Sequence, residues 1–220
     1  MAEIPRHHLA WVDPGITPAD LLPGLEAAPV EAVLDWIALG RPAIARRSGP
    51  CDAPGGVPLG VPLPPRRGKR RIAFSVPAQR IAAVRAPLLL EEAIASLPPA
   101  WRGPLAHLDA GLHLLGLTAR VYGSASWQHL TGEPYVTPDS DVDLLLEPGE
   151  RKVLDGALAL LSRWEREAGL RADGEVVLPG GAAVAWRELA LGRGMLLLKH
   201  RRWLELWPRS RVLALLERAA

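Results

Sequence analysis

Asp141 and Asp143 stand two apart at the start of the apolar segment DVDLLL, residues 141–146. In an extended strand alternate side chains leave the same face, so both carboxylates project together, about 7 Å apart at the backbone. Two carboxylates so placed can converge on one divalent ion or share two. A ligand set made only of oxygens favours Mg2+ or Mn2+ over zinc. That chemistry serves phosphoryl or nucleotidyl transfer, where cations clamp the attacking and leaving oxygens. An Asp-x-Asp pair alone is equally what a solvated sheet edge carries. The second signal lies upstream, where Gly123-Ser124 directly follows the apolar segment 118–122 and precedes a short helix. Glycine lets the backbone approach a phosphate closely. The helix N-terminus and the Ser124 hydroxyl offer donors to phosphate oxygens.

The elements that must position these groups can be read from periodicity. In the second half, helical spacing predicts helices over 88–96 and 104–115, the second stopped by Gly116. A strand over 118–122, a helical turn over 125–130 and a polar loop over 131–140 lead to the Asp-x-Asp strand. A strongly periodic helix follows over 150–168. Residues 175–178 and 182–186 flank Pro179-Gly180-Gly181, which predicts a hairpin. A strand over 195–199 and a helix over 210–218 capped by Ser210 complete this part. The first half is richer in proline and glycine. It predicts a helix over 30–39, strands over 42–46 and 71–76, and loop over 48–65. The fold class is α+β: a catalytic core of short mixed sheet with helices over 81–220, and a smaller N-terminal α/β domain over 1–80 that carries a basic segment. The cleft between two domains is the natural ligand position.

Composition narrows the function classes. Hydrophobic residues make up 49% and charged residues 23% of the 220, which excludes a wholly disordered chain. No apolar run reaches the roughly 18 residues that span a bilayer, and the N-terminus lacks the apolar core of a secretory signal. A single cysteine, Cys51, excludes an internal disulfide and a cysteine metal cage. These features point to a cytoplasmic protein without a membrane partner. The net charge is only +2, and the one dense basic cluster is Arg66, Arg67, Lys69, Arg70 and Arg71. A nucleic-acid partner is therefore not expected. Lys199, at the end of the run LLLK, either reaches a phosphate as a point charge or marks a strand end. His7 and His8 are adjacent and point apart on a strand, so they do not form a joint metal site. Trp127 is expected behind the Gly-Ser turn as core, and the eight tryptophans as packing.

The order strand, Gly-Ser, short helix, Asp-x-Asp strand resembles the DNA polymerase β nucleotidyltransferase superfamily. That resemblance implies a third carboxylate on a later strand, for which Glu175 and Asp173 are candidates. Glu175 is preferred because it sits inside the apolar strand. The match is closer still. The segments VYGSASWQHLTGEPY, SDVDLLL and DGEVVLPGGAAVAWRE, with HHLAWV and the GVPLPP and KRRIAF stretches, resemble the malonate decarboxylase holo-acyl-carrier-protein synthases. These are also called phosphoribosyl-dephospho-CoA transferases. The resemblance implies attachment of 2′-(5″-phosphoribosyl)-3′-dephospho-CoA to a serine of the acyl-carrier subunit of malonate decarboxylase. The donor is its 5″-triphosphate, triphosphoribosyl-dephospho-CoA, and pyrophosphate leaves. The implied site is Asp141, Asp143 and Glu175 for metal and catalysis, with Gly123, Ser124, Arg70, Arg71 and Lys199 binding substrate. The basic segment would meet donor phosphates or an acidic carrier. The insertion between Ser124 and Asp141 would shape recognition of donor or carrier. A nucleotidyltransferase using ATP or CTP on another acceptor, or a carrier-binding module without chemistry, are the alternatives. The sequence leaves oligomeric state open.

Overall fold

The computed structural model describes residues 4–21, 27–49, 52, 54–68, 70–192 and 194–217; Cys51, Lys69 and Arg218 lie outside the described residues. The chain divides into two compact units, Met1–Pro87 and Leu88–Ala220.

In the first unit β1 (Leu9–Val12), α1 (Ala27–Ala38), β2 (Ala43–Ala45), β3 (Gly56–Pro62), β4 (Arg71–Pro77) and β5 (Ile81–Arg85) follow one another. The strands form one sheet in the order β4-β3-β2-β1-β5. Every pairing in it is antiparallel, so this unit is α+β in layout rather than α/β. α1 buries Val33, Trp36 and Ile37 at helical spacing, and Trp36 Nε1 donates to the Pro42 carbonyl at 2.9 Å. β3 lies where a loop was expected. Its Val57, Leu59 and Val61 are buried at period two, a pattern disguised in the sequence by the interleaved Gly56, Pro58, Gly60 and Pro62. The two prolines share one parity, so their missing N–H groups face one side of the strand. That is the side of short β2, and Arg46, the residue after β2, donates its N–H to the Pro58 carbonyl. β5 pairs with β1, and the unit therefore runs beyond residue 80. The composition shift marks where proline and glycine thin out, not where pairing stops.

The second unit contains β6 (Leu88–Leu89), α2 (Leu90–Ile94), α3 (Pro99–Leu114), β7 (Arg120–Tyr122), α4 (Gly123–Thr131), β8 (Val142–Leu146) and α5 (Arg151–Ala168). After these come β9 (Ala172–Val177), β10 (Ala183–Ala185), α6 (Trp186–Leu191), β11 (Met195–Lys199), β12 (Leu204–Pro208) and α7 (Arg209–Glu217). Seven strands form a mixed sheet in the order β12-β11-β10-β9-β8-β7-β6. Only the β8–β9 pairing is parallel among those described, which fits the long α5 crossover between them. α3 starts five residues earlier than helical spacing suggests, because Pro99 takes a first-turn position where its missing N–H costs nothing. Leu105, Leu108 and Leu112 of α3 and Leu154, Leu158, Leu161 and Trp164 of α5 share one buried cluster with Val142, Leu144 and Leu146 of β8. Trp164 Nε1 donates to the Pro104 carbonyl at 2.7 Å and ties the two helices. By alternation Asp143 and Leu145 leave β8 on the face opposite this core. Trp36, Trp101, Trp127, Trp164 and Trp186 are buried, in keeping with a packing role, whereas Trp203 is 56% exposed, so the expectation does not extend to all eight.

One buried carboxyl in this core carries a pH signature. Asp109 of α3 is 7% exposed, and burial raises its pKa. His113 one turn on opposes that rise, while Glu91 adds to it. The folded state thus holds the proton more tightly than the unfolded chain. Stability falls as pH climbs out of the ordinary carboxyl range toward the folded pKa, and the loss persists above it. Asp109→Asn should melt higher than the wild type at pH 7. The gap should close as pH drops to where both states are protonated. Melting curves at several pH values check this, and a gap independent of pH would contradict it.

Candidate active site

Asp143 is positioned by two strands and a helix start. β8 runs antiparallel to β7, placing Tyr122 opposite Asp143, and the chain turns straight into α4 at Gly123. The carboxylate lies directly against the Gly123 backbone. A Cβ built on Gly123 would stand 1.8 Å from Asp143 Oδ2 and 2.6 Å from its Cγ. Gly123 also has φ +64°, a left-handed conformation that glycine adopts without strain. The Gly-Ser turn and the second Asp of the pair are therefore neighbours. The N-cap residue of the nine-residue α4 is Tyr122, whose side chain makes no capping hydrogen bond. Its first-turn N–H groups suit an anion at the helix end where Ser124 sits.

The insertion between α4 and β8 is tied down by the Trp-Gln-x-Leu-Thr-Gly segment. Gln128 Oε1 accepts from the Tyr135 and Val136 N–H groups at 3.2 and 3.0 Å. Its Nε2 donates to the Ser96 carbonyl at 2.6 Å. Thr131 Oγ1 donates to the Trp127 carbonyl at 2.7 Å and accepts from Glu133 N at 3.2 Å. Gly132, at φ +70°, ends the helix. Ser140 Oγ then accepts from Thr137 N at 2.9 Å, closing a turn that delivers the chain to Asp141. Asp141 precedes β8 by one residue, and its Oδ1 lies 3.2 Å from Arg171 Nε. That oxygen is buried and accepts no hydrogen bond.

The parallel register resolves the later carboxylates. Asp173 of β9 stands beside Asp143, and Glu175 beside Leu145. Both point away from the helical core, as their two-residue spacing requires. Asp173 is exposed and accepts from Gly174 N at 2.8 Å. Glu175 is 5% exposed and receives Lys199 Nζ at 2.9 Å. Lys199 thus meets a carboxylate, and Glu175 is neutralised within the protein. Among the described residues, no three His, Cys, Asp or Glu side chains are grouped to hold a metal ion unaided. The carboxylates nearest the helix start nevertheless suit a hard cation. The donors are all oxygen, Asp141 Oδ1 being 3.2 Å from the Arg171 guanidinium, and Mg2+ commonly takes one or two carboxylates with the rest from water and substrate phosphates.

Sequence reasoning missed the clamp behind this row. Glu165 Oε1 accepts from Ala172 N at 2.7 Å, and Arg187 Nη2 donates to both Glu165 Oε1 and the Ala172 carbonyl at 2.6 Å. Trp186 Nε1 donates to the same carbonyl at 3.2 Å. These contacts fix the first residue of β9 and with it the register of Asp173. Nothing in the sequence links residues 165 and 187, which meet only because α5 and α6 pack together. Arg70 and Arg71 lie in the first unit. The Arg70 carbonyl accepts from Leu63 N at 2.7 Å, and Arg71 opens β4 opposite Pro62. With Arg66 and Arg67 they form an exposed basic group. Among the described residues, no helix is long and apolar enough to cross a membrane.

Comparison with known proteins matches residues 88–210 to the phosphoribosyl-dephospho-CoA transferase MdcG C-terminal domain. Residues 5–87 match the N-terminal domain of the same family. A phosphoribosyl-dephospho-CoA transferase of Xanthomonas campestris is 39% identical over 205 residues, 93% of this chain and 94% of its own. One from Bradyrhizobium diazoefficiens is 40% identical over 194 residues, 88% of this chain and 85% of its own. One from Pseudomonas aeruginosa is 36% identical over 196 residues, 84% of this chain and 89% of its own. No solved structure matches the chain.

Proposed function

The chain belongs to the phosphoribosyl-dephospho-CoA transferase family, and from that membership we propose a specific reaction for it. It moves 2′-(5″-phosphoribosyl)-3′-dephospho-CoA from the 5″-triphosphate donor to a serine of the acyl-carrier subunit of malonate decarboxylase. The serine hydroxyl releases its proton to solvent as its oxygen forms a bond to the α-phosphorus of the donor. The bond from that phosphorus to the bridging oxygen breaks, and pyrophosphate leaves with its electrons.

The observation that supports this reading best is the Asp143 carboxylate seated against Gly123 at the start of α4. It sets negative oxygens beside N–H donors, an arrangement that serves a triphosphate only when cation and phosphate arrive together. Asp141 and Asp143 would hold Mg2+ or Mn2+, which when bound would offset the charge of the triphosphate. The α4 N–H groups and Ser124 orient the phosphate oxygens, and position plus charge complementarity supply the acceleration. Lys199 and Glu175 form a neutral pair on the same face and limit how much negative charge the donor meets there. Arg70 and Arg71 provide a basic surface for donor phosphates or for the carrier.

Incubating the protein with apo-carrier, Mg2+ and the triphosphoribosyl donor should add the mass of phosphoribosyl-dephospho-CoA to one carrier serine. One pyrophosphate should appear per carrier modified. Parallel incubations with ATP or CTP should leave the carrier unchanged. Pyrophosphate release with ATP or CTP alone would assign the chain to another nucleotidyl transfer. Carrier binding without mass gain would make it an escort.

A further inference from the structure

Resting on the cation-and-triphosphate reading above, we infer that Arg171 is a further donor-binding residue. Its guanidinium holds Asp141 in the free protein and passes to the donor's phosphates when a cation takes Asp141. Backbone pairing fixes where the residue starts. The Arg171 carbonyl accepts from Val142 N at 2.8 Å, and the next pair, Val142 beside Ala172, opens the parallel register of β8 and β9. Ala172 is itself held by Glu165, Arg187 and Trp186. Asp141 and Arg171 each immediately precede their strand. Alternation therefore puts Asp141 on the face of Asp143, and Arg171 on the face of Asp173. Asp143 and Asp173 are neighbours in the register, so all four side chains share one face.

The side chain is far less constrained than its backbone. It is 73% exposed, and Nε meets Asp141 Oδ1 as an ion pair at 3.2 Å. So exposed a pair is weak and readily exchanged. Lys199, by contrast, is committed to buried Glu175 at 2.9 Å. A guanidinium and a hard cation cannot occupy the same carboxylate oxygen, so they compete for Asp141. The donor brings its own negative oxygens to the same place. A guanidinium displaced from Asp141 stays tethered beside them on a fixed backbone. Its planar fork of N–H donors matches a phosphate, which offers several oxygens, better than a single carboxylate oxygen. The exchange leaves no charge unpaired, because the carboxylate keeps a cation and the guanidinium gains an anion.

The test uses the full-length protein and needs neither carrier nor turnover. Mn2+ binding without donor is read from the electron paramagnetic resonance of the free ion, and binding of the triphosphoribosyl donor in Mg2+ by calorimetry. Arg171→Gln should bind Mn2+ about two- to fivefold more tightly, the gain from removing a weak competitor. The same variant should bind the donor at least about tenfold more weakly. Opposite shifts of the two affinities are what a merely structural role would not produce. Arg171→Lys should keep the wild-type Mn2+ affinity and restore part of the donor affinity, since an ammonium has the charge without the fork. Melting temperatures should match the wild type, because the side chain is exposed. In Arg171→Gln, a Mn2+ affinity unchanged or lowered, or a donor affinity within about twofold of wild type, would overturn the role of Arg171 and leave the carboxylate site standing. Failure of the wild type to bind Mn2+ or the donor would instead overturn the cation-and-triphosphate reading, and this inference with it.

Discussion

Asp143→Asn should fold like the parent protein and transfer its group at least about a thousandfold more slowly. The amide has the shape of the carboxylate, so the close fit against Gly123, where a Cβ would come within 1.8 Å of Oδ2, is preserved. Charge is what disappears. A neutral amide neither binds a hard cation well nor compensates the phosphate charge that grows as the leaving group departs. Loss of one preorganised electrostatic contact commonly costs about a hundred- to a thousandfold, and a metal ligand adds its share of cation affinity. Asp141→Asn should also slow transfer, and since Asp141 Oδ1 lies 3.2 Å from Arg171 Nε, melting curves separate loss of that ion pair from loss of activity. Single-turnover mass gain on the carrier reads the rate, and circular dichroism with thermal melting reads the fold. Full activity in either variant would remove the carboxylate pair from the site. Unfolding of Asp143→Asn would recast Asp143 as a structural residue of the β7–α4 turn.

The layout of the candidate site was legible in the sequence where it depends on local order, and illegible where it depends on pairing. Asp141, Asp143, Gly123 and Ser124 lie on a strand–turn–helix and a strand, each with clear periodicity, and the sheet brings the turn to the second aspartate. The spacing of Asp173 and Glu175 fixed their common face but not their neighbours. Strand register decides that Asp173 meets Asp143 while Glu175 meets Lys199, and register is a tertiary property. Fold errors have the same origin. β3 hides its alternation behind prolines that a strand tolerates only on one side. No element is predicted over 200–209, where β12, with Glu205 amid apolar residues and arginines on both sides, pairs with β11. The Glu165–Arg187 clamp needs α5 and α6 in contact and has no sequence signature at all. The Trp-Gln-x-Leu-Thr-Gly segment shows the converse. Its distinctiveness is visible at once, yet its task, holding residues 135 and 136 through Gln128, emerges only from the hydrogen bonds.

Gly174→Ala should destabilise the second unit by about 3 kcal/mol or more, lowering its melting temperature by roughly 10 °C. Gly174 divides Asp173 from Glu175 and has φ +137°, where side-chain-bearing residues are strained by about 1–3 kcal/mol. A Cβ there would lie 1.9 Å from the Leu144 carbonyl oxygen and 2.7 Å from its carbonyl carbon and nitrogen. The contrast with Gly123 sets the expected size. At Gly123 the atom met is the tip of a carboxylate, which can turn away on its own torsions. At Gly174 it is the backbone of the neighbouring strand, which moves only if β9 separates from β8. That separation breaks the one parallel pairing described and loosens Ala172 and Val176, which are buried in the same cluster as Leu144. Asp173 leaves Asp143 at the same time, so activity in the folded fraction should fall along with stability. Thermal and denaturant unfolding measure the first effect, and carrier mass gain below the melting transition measures the second. A Gly174→Ala protein that melts with the wild type would mean that β9 does not run against β8 at this point. The register that places Asp173 beside Asp143 would then be wrong.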